Sequence, residues 1–451
     1  MPDIVRTSVG EMGPPARRTW LAGILIAVGA LILTTGPLYR VRTWWEFSDP
    51  LAADVAVVTV QLLVGVAGIA ALCTAGRWRC VDRRMGVVAF ALVAWMVLGA
   101  LWSADAGTTF RESMMVGVTL AAGIGAAAAV SERTLVIASW VGIHLGLGWS
   151  AALIATVQPG SQDMNGEWTG VYFNPNSLAL VTAIGIFLSL LVALHLVRHP
   201  LRWLAIALTG LAVLADLWLI IGTGALTPLF GLGIGFAVAV TSIICRRWVG
   251  PDGSRPIDTG RVSALAGVAV VTAGAVAWVS RGSWLSAVGR TSNLTGRTDM
   301  WGVALDWFWK QPIAGQGYLG VWLDPAFAAA QLAARGEVLG TTHNSFIELL
   351  VGTGIVGFGL FVALCSLAWV ASGRRALDGR TLLAAWPLAA VVFVIVENLA
   401  ETLWIGGQLT VAMLGVIIVA STSPDSSTPS PQPCRDRDFV GVDVVGVEQR
   451  R

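Results

Sequence analysis

The sequence predicts an all-α, polytopic integral membrane protein of about twelve transmembrane helices with one large extracytoplasmic loop. Three observations carry this. Hydrophobic residues make up 55% of the 451 and charged residues only 12%, where soluble domains hold about a quarter charged. Apolar runs of bilayer length recur along the chain. One long polar stretch, late in the sequence, gathers arginine, histidine and tryptophan.

The runs fall at 20–38, 53–75, 86–102, 113–130, 135–157, 177–196, 203–221, 225–245, 262–279, 346–370, 382–398 and 403–420. The first follows Arg17-Arg18, lacks a small-x-small cleavage site and precedes many more spans, so it reads as an uncleaved helix. The pair 203–221 and 225–245 is parted only by Gly222-Thr223-Gly224 and reads as a tight hairpin. Residues 1–19 form a cytoplasmic N-terminus, 20–279 carry nine helices, 280–345 the external loop, and 346–420 three more helices. The Ser/Pro/Thr/Asp-rich stretch 421–451 reads as a disordered cytoplasmic tail.

Arginines in the short loops set the orientation. With the N-terminus inside, the inner loops hold Arg77, Arg79, Arg83, Arg84, Arg198, Arg202, Arg246, Arg247, Arg255, Arg261, Arg374, Arg375 and Arg380. The short outer loops hold Arg40, Arg42 and Arg111. This places 280–345 outside the cytoplasmic membrane, and leaves Cys73, Cys80, Cys245, Cys365 and Cys434 out of every external loop. Those cysteines show no CxxC or paired spacing, so neither a zinc site nor a disulfide framework is expected. A net charge of +2 with dispersed basic residues argues against nucleic acid and leaves lipid as the partner.

A transporter is expected to hold ionisable groups near the bilayer midplane. Here Asp216, Glu348, Glu397 and Glu401 fall near outer ends of predicted spans, and His144 is the clearest midmembrane group. A neutral imidazole bonded to a neighbouring helix accounts for it. The polar groups of the outer face look more like a reaction site. Arg281, Arg290 and Arg297 precede a helix, Arg111 opens the fourth span, and His343-Asn344 ends the loop. Converging guanidinium forks suit phosphate oxygens, and a lipid-linked phosphate is the natural ligand at a membrane surface. The same arginines are equally suited to binding headgroups or pairing with Asp299, Asp306 and Glu337. His343 is the single histidine on the external side and can accept a proton from an attacking hydroxyl. Trp301, Leu305, Phe308 and Trp309 recur at helical spacing, with Trp307 adding to an interfacial stripe. No Asp-x-Asp pair stands outside the membrane, so no metal is expected.

Gly296-Arg297-Thr298, Trp301, Pro312, Gly315-Gln316-Gly317-Tyr318 and His343-Asn344-Ser345-Phe346-Ile347-Glu348, followed by Gly352, Gly354 and Gly357, form a recognisable series. It resembles the O-antigen ligase and polysaccharide polymerase family, most specifically over residues 290–362. Upstream, Gly170-Val171-Tyr172-Phe173-Asn174-Pro175-Asn176 is similar to that family's Gly-aromatic-Asn-x-Asn segment. The resemblance implies a multi-span GT-C-like glycosyltransferase needing no cofactor, acting at the outer face of the cytoplasmic membrane. Its donor would be a polyprenyl-diphosphate-linked oligosaccharide, its acceptor a glycan, and a polysaccharide-assembly complex its setting. His343 would be the catalytic residue and Arg297 the diphosphate ligand, with Arg290, Arg281 and Arg111 as further donors. Gly296, Trp301, Asn344, Glu348, Asn174 and Asn176 would support the loop and site. One departure stands out: the family's Ser-Arg at the outer start of a span is absent, with Thr223 at or beside its place. That divergence favours a polymerase over a ligase and throws more of the donor binding onto Arg297.

Overall fold

The computed structural model describes residues 14–43, 55–74, 81–225, 227–248, 297–379, 381–404 and 407–423. Among these residues the fold is all-α, with a single isolated β-bridge between Gln162 and Trp168. The helices are α1 (Pro14–Leu33), α2 (Gly36–Thr43), α3 (Val55–Thr74), α4 (Arg83–Leu98), α5 (Ala106–Ala129), α6 (Glu132–Ala155) and α7 (Pro175–Leu196). There follow α8 (Arg202–Gly222), α9 (Thr227–Trp248), α10 (Arg297–Lys310), α11 (Pro325–Arg335), α12 (Ser345–Asp378), α13 (Trp386–Ala400) and α14 (Leu409–Ala420).

Nine segments among the described residues are long and apolar enough to cross a bilayer. Two further expected spans correspond to shorter apolar helices, Leu21–Leu33 within α1 and Leu409–Ala420. The expected span at 262–279 lies outside the described residues, as do 280–296 and the tail from 424 onward.

Capping residues fix where the helices begin. Asp105 accepts from Thr108 N and starts α5, and this bond holds its carboxylate below the ordinary range. Ser131 opens α6, Asn174 followed by Pro175 opens α7, and Asn344 opens α12. At the centre stands α13, whose side chains from Leu388 to Val394 are all buried. It packs against α9, α12 and α14. Where α3 meets α5 the backbones touch: a Cβ on Gly125 would lie 1.9 Å from the Gly68 carbonyl oxygen. Small residues permit that approach, which dispersion then stabilises within a bilayer.

α12 is not one continuous helix. Gly354 sits at φ 65°, ψ −171°, a conformation essentially confined to glycine. The break leaves backbone groups without helical partners inside the membrane domain, where an unpaired amide or carbonyl costs several kcal/mol. The loop after α10 supplies them. Gln316 N donates to Val351 O and Gly317 N to Gly352 O, both at 2.9 Å, while Ile355 N donates to Pro312 O at 2.9 Å. Two indoles complete the seam, Trp102 Nε1 donating to Gly315 O (3.0 Å) and Trp95 Nε1 to Thr353 O (2.8 Å). The Gly315-Gln316-Gly317 and Gly352–Gly354 motifs are thus two sides of one backbone junction.

The loop contains more helix than its tryptophan spacing implies. α10 buries Met300, Ala304, Trp307 and Phe308, and leaves Trp309 exposed and Leu305 largely so. Of the expected stripe, Trp307 and Phe308 turn inward while Leu305 and Trp309 do not; Met300 and Ala304 complete the buried face, where Met300 and Trp307 meet the buried Phe327 of α11 and Val351 of α12.

Candidate active site

Four chain ends meet at one end of the bundle: the N-termini of α7, α10 and α12 and the C-terminus of α13. The centre of this meeting is Glu401, immediately after α13. Its Oε1 accepts from Arg297 Nη2 (2.8 Å) and from Asn176 Nδ2 (2.8 Å). Its Oε2 lies 2.8 Å from His343 Nδ1. Arg297 Nη1 also donates to the Ala400 carbonyl, so one guanidinium fork closes the end of α13.

The loop before α12 is built to hold His343 in place. The residue has φ 51°, a left-handed conformation uncommon for a side-chain-bearing residue, which the surrounding bonds must impose. Asn344 Oδ1 accepts from Phe346 N (3.0 Å) and Ile347 N (3.1 Å), its Nδ2 donates to Leu399 O (3.0 Å), and its backbone N donates to Thr402 Oγ1 (3.1 Å). Ser345 Oγ donates to Glu401 O (3.2 Å) and accepts from Leu403 N (2.8 Å). On the preceding side, Glu348 takes Thr342 N (2.9 Å) and Thr342 Oγ1 (3.1 Å) on Oε2 and Trp322 Nε1 on Oε1. Trp301 Nε1 donates to Thr342 O (2.8 Å). Tyr318 is fully buried beneath, its hydroxyl donating to Trp404 O, and burial holds its phenol well above the ordinary range.

The segment entering α7 is anchored separately. Arg40 of α2 donates to the carbonyls of Pro159 and Gly160 and lies over the Phe173 ring, 5.2 Å from its centroid. This sets Asn174 as the helix cap and presents Asn176 to Glu401.

The chemical consequence follows from hydrogen-bond bookkeeping. With Glu401 ionised opposite Arg297, His343 Nδ1 carries a hydrogen and donates it. The neutral ring then has its lone pair on Nε2, aimed away from Glu401, on a side chain 31% exposed. An imidazole so oriented by a carboxylate can act as a general base.

Of the site residues expected from sequence, the structure brings together His343, Arg297, Asn344, Asn176, Trp301 and Glu348, with Asn174 supporting Asn176. It does not bring in Arg111, whose Nε pairs with the adjacent Glu112 at 3.0 Å on α5. Arg281, Arg290 and Gly296 lie outside the described residues. Arg297 pairs with Glu401 rather than with Asp299, Asp306 or Glu337. Glu401 is the residue sequence reasoning passed over, as one of several carboxylates at span ends. Thr223, expected at or beside the place of the missing arginine, is fully buried: its hydroxyl donates to Ile220 O (2.7 Å) and accepts from Ala225 N (3.1 Å), closing the α8–α9 turn. Among the described residues no group of three or more His, Cys, Asp or Glu could hold a metal ion.

The O-antigen ligase family model matches residues 211–362, from within α8 into α12. The exopolysaccharide production protein ExoQ of Rhizobium meliloti (strain 1021) is 26% identical over 298 residues, which are 64% of this chain and 66% of that relative's length. The resemblance to O-antigen ligases and polysaccharide polymerases is thereby borne out. The apolar helices support a multi-pass membrane protein, one similar over these stretches to O-antigen ligases and to an exopolysaccharide production protein.

Proposed function

From a chain whose residues 211–362 match O-antigen ligases, we propose a glycosyltransferase that extends or transfers oligosaccharide from a polyprenyl-diphosphate carrier at the outer face of the cytoplasmic membrane. The observation that carries this reading is the His343–Glu401–Arg297 constellation. In the proposed reaction His343 Nε2 takes the proton of an acceptor hydroxyl while that oxygen attacks the anomeric carbon of the donor sugar. The bond to the diphosphate breaks and the departing diphosphate keeps the electron pair. Arg297 offsets the charge that develops, as preorganised donors do, with Arg281 and Arg290 as further donors of the clamp. No metal takes part in this scheme. The arginine bias of the short loops favours both termini inside and the site outside.

In cells, His343→Ala should halt surface polysaccharide while the variant remains in the membrane at normal abundance, and carrier-linked oligosaccharide should accumulate. Mass spectrometry of that lipid separates the two activities: one repeat unit on the carrier marks a polymerase, finished polymer a ligase. Unchanged polymer length and yield would sink the reading. A transporter draws on a different observation, the membrane-buried pair His144–Asp216. It requires His144→Ala, not His343→Ala, to stop polymer production.

A further inference from the structure

His144 on α6 and Asp216 on α8 meet inside the membrane domain, Nε2 to Oδ2 at 3.2 Å, reaching across Gly185 of α7. The site reaction makes no use of them. The other ring nitrogen, Nδ1, lies 2.8 Å from the carbonyl oxygen of Trp140, one turn earlier. A carbonyl only accepts, so Nδ1 must carry a hydrogen. That fixes the bookkeeping at Nε2. If Nε2 also carries a hydrogen, the ring is an imidazolium bonded to a carboxylate. If it does not, its lone pair can bond only to a protonated carboxyl. Either way exactly one proton lies between the two groups and the pair is neutral overall. Removing it sets a lone pair against a carboxylate, one net negative charge, where Asp216 is only 1% exposed.

We infer that His144 and Asp216 form an intramembrane one-proton binding site that seats α8 when loaded and loosens it when empty. Among the described residues of α6, α7 and α8, no other charged side chain stands beside the pair. The pair is framed by Trp140, whose ring lies 4.7 Å from that of His144 and whose Nε1 donates to Ser189 Oγ, and by Leu147 and Gly185. The other charged or titratable side chains of α6, α7 and α8, namely Glu132, Arg133, His195 and Arg202, stand at the far ends of those helices. α8 depends on this contact more than its neighbours do, because most of its surface faces outward and Ala205, Thr209, Asp216, Leu219 and Ile220 form its buried stripe. Its last residue, Gly222, accepts from Trp168 N at 2.9 Å, and the Trp168 ring lies tilted against Trp218, centroids 4.5 Å apart. Movement of α8 is therefore felt in the loop that leads to Asn174 and Asn176.

The sign follows from the bonding: losing the shared proton removes the hydrogen bond and leaves a lone pair facing a carboxylate, so the contact weakens as pH rises. Asp216→Asn is the discriminating variant. Its amide N–H can donate to the same imidazole lone pair and cannot leave, so the variant should fold, keep its seat at alkaline pH and lose the titration. Infrared difference spectra of the full chain in lipid, taken between acid and alkaline pH, should show in the parent a carboxyl–imidazole signal of this pair on top of those from His343–Glu401 and His195–Glu132. That signal should vanish in Asp216→Asn and shift its midpoint in His144→Gln. The thermal midpoint should fall with rising pH more steeply in the parent than in Asp216→Asn. Parent and Asp216→Asn spectra that coincide, or equal pH dependence of their thermal midpoints, would overturn the inference.

Discussion

Glu401 accepts His343 Nδ1 on one carboxylate oxygen at 2.8 Å, although the two residues are 58 positions apart in the chain. The other oxygen is taken by Arg297 and Asn176. One carboxylate thus decides which imidazole nitrogen carries the hydrogen and where the guanidinium rests.

The first prediction follows from that tautomer. Glu401→Gln keeps the shape, but its amide can present oxygen or nitrogen to His343, and it no longer offers Arg297 a charge. Turnover should fall by about 10² or more, the usual worth of a positioned base, with protein abundance unchanged. Glu401→Asp should restore part of it. Activity in the Gln variant equal to the parent's would show that His343 does not rely on the carboxylate.

Arg297→Lys tests the fork. A lysine keeps the charge but cannot span Ala400 O and Glu401 Oε1 in a planar arrangement. The expected result is a loss of glycan transfer on the order of tenfold or more, roughly the 1.5–3 kcal/mol of a charged hydrogen bond, with a larger loss in Arg297→Ala. Steady-state assays on purified protein with carrier-linked donor would measure it. A lysine variant at full activity would reduce Arg297 to a point charge.

The membrane spans, Arg297 and His343 were legible because each leaves a local mark: apolar run length, a charged side chain before a helix, a histidine beside a cap. Glu401 left none. It looks like any carboxylate at a span end, and only the folding of α13 against α7, α10 and α12 gives it three partners. Arg111 illustrates the converse, since its position at the head of α5 suggested convergence while the adjacent Glu112 takes its charge. The loop stripe was partly misplaced for a similar reason. Helical spacing shows that an apolar face exists; which face turns inward depended on Phe327 and Val351, which no local pattern joins to α10.

A third prediction concerns the loop's support. Glu348 is 3% exposed and accepts from the backbone N and hydroxyl of Thr342 and from the Trp322 indole. Glu348→Ala strands the Thr342 amide and the Trp322 indole, at about 1–3 kcal/mol for a buried donor left unpaired, while the Thr342 hydroxyl keeps the Asn344 carbonyl at 2.7 Å. The variant should lower the thermal midpoint and lose activity through misplacement of His343, with Glu348→Gln closer to the parent because the amide oxygen still accepts. If Glu348→Ala unfolded at the parent's temperature, the carboxylate would not be holding Thr342.

The last prediction turns on Gly354, where two costs act together. At φ 65°, ψ −171° a side chain is strained by about 1–3 kcal/mol. Space is also denied: a Cβ there would stand 2.2 Å from Ile313 O and 2.6 Å from Gly315 N, both backbone atoms that cannot rotate away. To accept alanine, the loop must lift off the break, and the bonds from Gln316, Gly317 and Ile355 are lost with it. Those bonds seal backbone within the membrane domain, so their loss exposes groups with no replacement partner. Gly354→Ala should therefore fail to accumulate, or should unfold far below the parent temperature in detergent. Gly359→Ala, on the same helix with no atom near its Cβ position, should be neutral or slightly stabilising. The two variants differ only in where along α12 a methyl group is added, so melting curves that shifted alike would show that the break at Gly354 is dispensable.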